Sequence, residues 1–150
     1  MRYLLDTNVL SELRKRPEVA DARVVAWAAA QDVEDLHLSV ISVMEIELGV
    51  ARLERRAARQ GAELRRWFEN AVIGELAGQI LPVSLAVARR AALLQVPDPR
   101  PLHDAYIAAT GLVHGLTVAT RNTADFDSTG VPLVNPWEIG GAGGDGRTGR

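Results

Sequence analysis

Apolar residues in this chain fall into short unbroken runs, separated by longer stretches in which they recur every three or four positions. Short runs bounded by polar turns mark strands buried on both faces, and the longer spacing marks amphipathic helices. The first run, over 2–5, stops at Asp6-Thr7-Asn8, where Thr7 or Asn8 is placed to cap a helix over about 9–15. Pro17 closes that helix, and an alanine-rich helix is predicted within 19–31. A second strand over 36–40 leads to a helix that Ser42 caps and that runs to about Arg59, with a break at Gly61. A helix over about 62–74, a strand near 80–83 and a helix over 85–94 follow. Pro97, Pro99 and Pro101 make a stiff connection into a helix ending near His114, where Gly115 supplies the stop. Residues 117–120 form a fourth strand, and 131–134 an edge strand, because Pro132 cannot donate to a sheet.

Strands alternating with helices predict a single α/β domain over residues 1–139, with a mainly parallel four- to five-stranded sheet and helices on both faces. Residues 140–150 hold six of the 13 glycines and almost nothing apolar, which predicts a disordered tail. At 47% hydrophobic and 24% charged, the composition is that of an ordinary globular domain. There is no cysteine, so thiolate nucleophiles, disulfides and cysteine-ligated metals are excluded. The longest uncharged stretch, over 105–120, is too short to span a bilayer and contains Gly111, His114 and Gly115. Only Tyr3, Leu4 and Leu5 separate Arg2 from Asp6, too few for a signal-peptide core, so the expected location is cytoplasmic. A net charge of −2 argues against a general nucleic-acid-coating protein, although six arginines against two glutamates between 52 and 66 make one local basic stretch.

The acids change the picture by where they fall. In open parallel sheets, ligands bind beyond the carboxyl ends of the strands. Asp6 directly follows the first predicted strand, and Asp125 lies in the turn after the fourth. Asp104 and Glu45 sit in the first turns of predicted helices whose neighbourhoods hold few other polar residues. Each alone could be a turn cap or a partner of a helix dipole. Converging carboxylates would repel one another and take up protons unless a cation neutralised them, and a hard divalent ion with oxygen ligands is the economical answer. Such ions activate water against a phosphodiester.

Four motifs together give the chain a resemblance to a known family. They are Leu4-Leu5-Asp6-Thr7-Asn8-Val9-Leu10-Ser11-Glu12, Ser42-Val43-Met44-Glu45-Ile46-Glu47-Leu48-Gly49-Val50, His103-Asp104-Ala105-Tyr106-Ile107-Ala108-Ala109-Thr110, and Thr120-Arg121-Asn122 through Phe126, followed by Val134-Asn135-Pro136-Trp137. The sequence resembles the PIN-domain proteins, and among them the VapC-type toxin nucleases of toxin–antitoxin pairs in the FitB-like branch. The resemblance implies a PIN-like fold and an Mg²⁺- or Mn²⁺-dependent endoribonuclease whose acids map to Asp6, Glu45 and Asp104. It also implies a fourth polar ligand in the last motif. FitB-like chains read Thr-Arg-Asp there, where this chain has Asn122, and Asp125 is the alternative source of the charge. Thr7, Asn8, Thr120 and Asn122 are supporting residues on this reading. The implied partners are RNA, a VapB-like antitoxin and a second copy of the chain.

Helical geometry separates Glu45 from Glu47: at about 100° per residue, Glu45 shares a stripe with Gly49, Arg52 and Arg56, while Glu47 points away alongside Glu54. Glu45 therefore takes the metal role, and Arg52 and Arg56 are candidates for RNA phosphates or an acidic partner, or form a solvated face. Trp27, Trp67 and Phe68 are candidates for gripping the antitoxin, or core residues. None of His37, His103 and His114 is read as a catalytic base. An aspartyl-phosphatase reading fails because the required second Asp is Asn8. The remaining alternative is a catalytically silent PIN-like module that binds RNA or a partner, against which the retention of Asp6, Glu45 and Asp104 argues.

Overall fold

The computed structural model describes residues 1–139, and the glycine-rich segment 140–150 lies outside them. Five strands form one all-parallel sheet: β1 (Tyr3–Leu5), β2 (Leu36–Ser39), β3 (Ile80–Leu81), β4 (Thr117–Ala119) and β5 (Leu133–Val134), in the spatial order β3-β2-β1-β4-β5. β1 is central because both of its faces can be covered. Leu4 and Leu5, 0% and 1% exposed, point to opposite sides and join two different apolar clusters. The edge position predicted for the Pro132 segment is the one observed, and only the Pro132 carbonyl is used, accepting from the Val118 N–H at 2.9 Å.

Six α-helices cover the sheet: α1 (Thr7–Leu13), α2 (Ala22–Ala29), α3 (Val40–Arg56), α4 (Ala58–Trp67), α5 (Leu85–Leu93) and α6 (Leu102–His114). On one face Val9, Leu10, Val24, Trp27, Ile46, Val50 and Phe68 pack against Leu5, Leu36 and Leu38. On the other, Ile107 and Ala108 of α6 pack against Leu4, Leu116 and Val118, and α5 packs on α6 through Val87, Ala91, Ala105 and Ala109. The approach of α6 to the sheet depends on Gly111: a Cβ there would lie 2.7 Å from Val131 Cγ2 and 3.1 Å from Val118 Cγ2.

Several helix ends differ from the sequence expectation. The cap of α1 is Asp6 rather than Thr7 or Asn8, its side chain accepting from the Thr7 N–H. The cap of α3 is Ser39, whose hydroxyl accepts from the Ile41 N–H, so Ser42 lies inside the helix and Glu45 in its second turn rather than its first. The strand runs straight into α3 without a loop, and the first side chain able to reach a free helical N–H is therefore three residues earlier than Ser42. The break between the two following helices falls at Ala57, not Gly61. Gly61 is buried within α4, where a Cβ would come within 2.4 Å of the Glu54 Cα. Its role is close helix contact instead of chain reversal. Beyond α4 the helix widens into a π-helical segment, Phe68–Gly74, which buries Phe68 and Val72.

Candidate active site

Strand order reverses direction at β1, with β2 on one side and β4 on the other, so the crevice beyond the carboxyl ends of β1 and β4 is the switch point where ligands bind in such sheets. The site lies there. A cleft of about 500 Å³ is walled by Asp6, Thr7, Asn8, Ser11, Glu12, Glu45, His103, Asp104, Asn122 and Asp125, with Lys15, Arg121 and Trp137 completing it. The four acids singled out in the sequence thus come from four elements: the end of β1, the second turn of α3, the first turn of α6 and the turn after β4.

Asp6 is the most constrained. It is buried, and its Oδ1 accepts from the Thr7 N–H at 2.8 Å and contacts His103 Nε2 at 3.2 Å. Its Oδ2 accepts from the Thr120 hydroxyl at 2.9 Å. Asn8 and Asn122 converge on that hydroxyl, through a side-chain amide and a backbone N–H respectively. The Asn122 side chain itself is exposed at the cleft, as is Asp125.

His103, not assigned a role from the sequence, stands between two of the acids. Nε2 faces Asp6, and Nδ1 is in ion-pair contact with Glu45. Its pKa is raised above the usual histidine value chiefly by the Asp6 contact, with the charges of Glu45 and Asp104 acting in the same sense and burial opposing them. The carboxyl of Asp104 is also pushed up, first by burial and then by the like charges of Asp125, Asp6 and Glu45, against the pull of His103. Glu12 is the one acid of the cleft, among the described residues, to which the sequence assigned no role. It lines the cleft but is occupied, paired with Lys15 at 2.5 Å and accepting from the Asp21 N–H at 3.0 Å.

The donors fit a hard divalent cation. They are carboxylate and amide oxygens, together with the Thr7 hydroxyl, which is buried and has no partner among the described residues. Burial, and after it the like charges of Asp125, Asp6 and Glu45, raises the Asp104 carboxyl, and a cation bound beside it would favour its charged form. Among the described residues no three acidic or imidazole side chains are grouped as a closed cage for one ion. The fit is therefore to an ion held by one or two carboxylates with water filling the remaining positions, as Mg²⁺ prefers.

Glu45 and Glu47 diverge in the packing as their helical spacing predicts. Glu45 lines the cleft, while Glu47 and Glu54 pair with Arg65 of α4 at 2.7 and 2.8 Å. Arg56 lines a groove of about 250 Å³ beside the cleft, together with Thr7, Ser11, Arg14, Glu45 and Trp67. Arg52 is exposed but lines neither. Trp27 and Phe68 are core residues, whereas Trp67 is half-buried at that groove. No helix among the described residues is long and apolar enough to cross a membrane.

The PIN domain family model matches residues 3–131. The chain is 39% identical to the VapC ribonuclease Y4jK of Sinorhizobium fredii over 140 residues, 90% of this chain and 97% of that protein. It is 42% identical to the toxin FitB of Neisseria gonorrhoeae, over 89% of this chain and 97% of FitB. The crystal structure of FitAcB from N. gonorrhoeae superposes with a TM-score of 0.82 at 40% identity, covering 91% of this chain and 99% of that one. The structure of FitAB bound to an IR36 DNA fragment gives 0.83 at 37% identity, covering 93% and 98%. With the sheet order, the cleft and these likenesses in agreement, the chain belongs to the PIN-domain family, among its VapC-type toxin ribonucleases.

Proposed function

We propose that this protein is a metal-dependent endoribonuclease, the toxin of a VapBC-type pair, and that Asp6, Glu45, Asp104 and Asp125 are its catalytic acids. The observation that carries this reading is the meeting of these four carboxylates, from four separate elements, in one open cleft at the switch point of the sheet. Asp6 and Asp104 would hold Mg²⁺ or Mn²⁺, with Glu45 and Asp125 or Asn122 reaching it through bound water, and the ion would supply the activation of water for phosphodiester hydrolysis.

The chain's own residues fix the geometry. Thr120 and the Thr7 N–H lock both oxygens of Asp6 in place, which leaves its remaining lone pairs directed at the cleft. His103 stands between Asp6 and Glu45, hydrogen-bonded to Asp6 through Nε2 and in charge contact with Glu45 through Nδ1. Asn8 and Asn122 anchor Thr120 from the two sides. The cleft is open at the surface, as a polymer substrate requires.

An antitoxin partner is supported by solved relatives that are themselves assemblies, FitAB on a DNA fragment and a toxin–antitoxin complex from Klebsiella pneumoniae at 28% identity. A homodimer and a VapB-like antitoxin belong to this proposal. The test is incubation of purified cellular RNA with the protein in Mg²⁺ or Mn²⁺, in EDTA, and with a folded Asp104→Asn variant. Discrete fragments that require both the metal and Asp104 are the expected result. Cleavage that survives EDTA or the substitution would remove Asp104 and the metal from the reaction, and absence of both cleavage and divalent-ion binding would favour the silent module.

A further inference from the structure

Among the described residues, the acid cleft contains one cation that no acid claims. Lys15 is paired with Glu12, and His103 lies between Asp6 and Glu45. Arg121, next to Thr120 at the end of β4, lines the same cleft with its side chain exposed. Among the described residues no carboxylate forms an ion pair with it, and its guanidinium donates no hydrogen bond. Its charge is felt by Glu12 only at longer range.

A flexible arginine among several carboxylates gains by folding onto one of them, so something holds this one away. Its guanidinium carbon stands 5.3 Å from the centroid of the Trp137 ring. Trp137 is buried, only 6% exposed, and cannot follow the arginine if it moves. The two are also fastened through the backbone. Asn135 accepts from the Trp137 N–H at 3.0 Å and donates its side-chain amide to the Arg121 carbonyl at 3.4 Å, while the Arg121 N–H donates to Asn8 Oδ1 at 3.4 Å. A guanidinium stacked on an indole keeps its edge N–H groups free, and that edge matches two phosphate oxygens.

A cleft lined by carboxylates repels an RNA strand wherever no cation intervenes. We propose that Arg121, positioned by Trp137, forms a phosphate subsite that receives a backbone phosphate of the RNA strand beside the one being cleaved. The segment Asn135-Pro136-Trp137, beyond the end of the PIN-domain match at residue 131, is then the brace of that subsite. This inference rests on the ribonuclease reading above, but its test does not require cleavage.

The test measures binding of a fluorescein-labelled single-stranded RNA oligonucleotide to the full chain in EDTA, in an Asp104→Asn background, across a range of salt concentrations. Arg121→Gln is expected to weaken binding roughly tenfold and to lower the slope of log K against log salt by about 0.7, the loss of one phosphate contact. Arg121→Lys keeps the charge and therefore the slope. Trp137→Phe, checked for folding by circular dichroism, keeps the slope with reduced affinity. An unchanged affinity and slope in folded Arg121→Gln overturns the subsite, as does a starting chain that binds no RNA at the lowest salt. RNA binding with the expected loss of slope, in a protein that never cleaves RNA with metal, sustains the subsite and removes the nuclease reading instead.

Discussion

The Thr120 hydroxyl donates to Asp6 Oδ2 at 2.9 Å while accepting from the Asn8 amide at 3.3 Å and from the Asn122 N–H at 3.1 Å. A hydroxyl has one proton and two lone pairs, so its capacity is fully used. Thr120 joins the ends of two adjacent strands at the point where Asp6 must be held still.

Thr120→Val keeps the shape and removes all three bonds, leaving a buried carboxylate oxygen and two amide donors unpaired. We expect a loss of about 1–3 kcal/mol in unfolding free energy and a fall in kcat larger than any rise in KM. Thr120→Ser should restore most of both. Denaturant unfolding beside RNA-cleavage kinetics checks this, and a valine variant as active as the parent would separate Asp6 from this support.

Asn122→Asp adds a further carboxylate at the edge of the cleft, beside Asp125. Tighter Mn²⁺ binding, measured by calorimetry, is the expected outcome. Unchanged or weaker affinity would mean that Asp125 already fills that position and that Asn122 acts only through its backbone bond to Thr120.

Gly61→Ala forces α3 and α4 apart, since a Cβ cannot sit 2.4 Å from the Glu54 Cα. The expected loss is about 1–3 kcal/mol, typical of overpacking. The ordinary gain in helix propensity from Gly to Ala, roughly 1 kcal/mol, has the opposite sign and is too small to win. A higher melting temperature for the alanine variant would contradict the close contact.

Glu12 is held below the usual carboxylate range, first by its bond to Lys15 and then by the Asp21 N–H. A depressed folded-state pKa gives stability that is complete above the unfolded value of 4.5 and is lost as pH falls through the lower folded one. Glu12→Gln should therefore be less stable than the parent at pH 7, with the difference closing in acid below 4.5. A gap that stays constant down to pH 2 would assign the loss to packing rather than charge.

The strands and the acids at their ends could be read from the sequence because a strand buried on both faces leaves an unbroken apolar run, and the first polar residue after it lies at the carboxyl edge. Asp6 and the turn holding Asp125 were found in this way. The caps were harder. Ser39 and Ser42 are chemically alike, and only the direct passage from β2 into α3 decides between them. Gly61 reads as a breaker until α3 is known to lie against it. His103 left no local signal, since its partners Asp6 and Glu45 are 97 and 58 positions away and meet it only after folding.

The four carboxylates proposed as catalytic are dispersed along the chain, from position 6 to position 125. A ribosome making this protein adds Asp6 119 residues before Asp125. Until Asp125 is added the growing polypeptide carries an incomplete set, and β1 lacks its β4 neighbour until Thr117–Ala119 have been made. Hydrolytic capacity should therefore arise only after Asp125 has been added, and a prematurely terminated product lacking β4 should be harmless to the cell that made it.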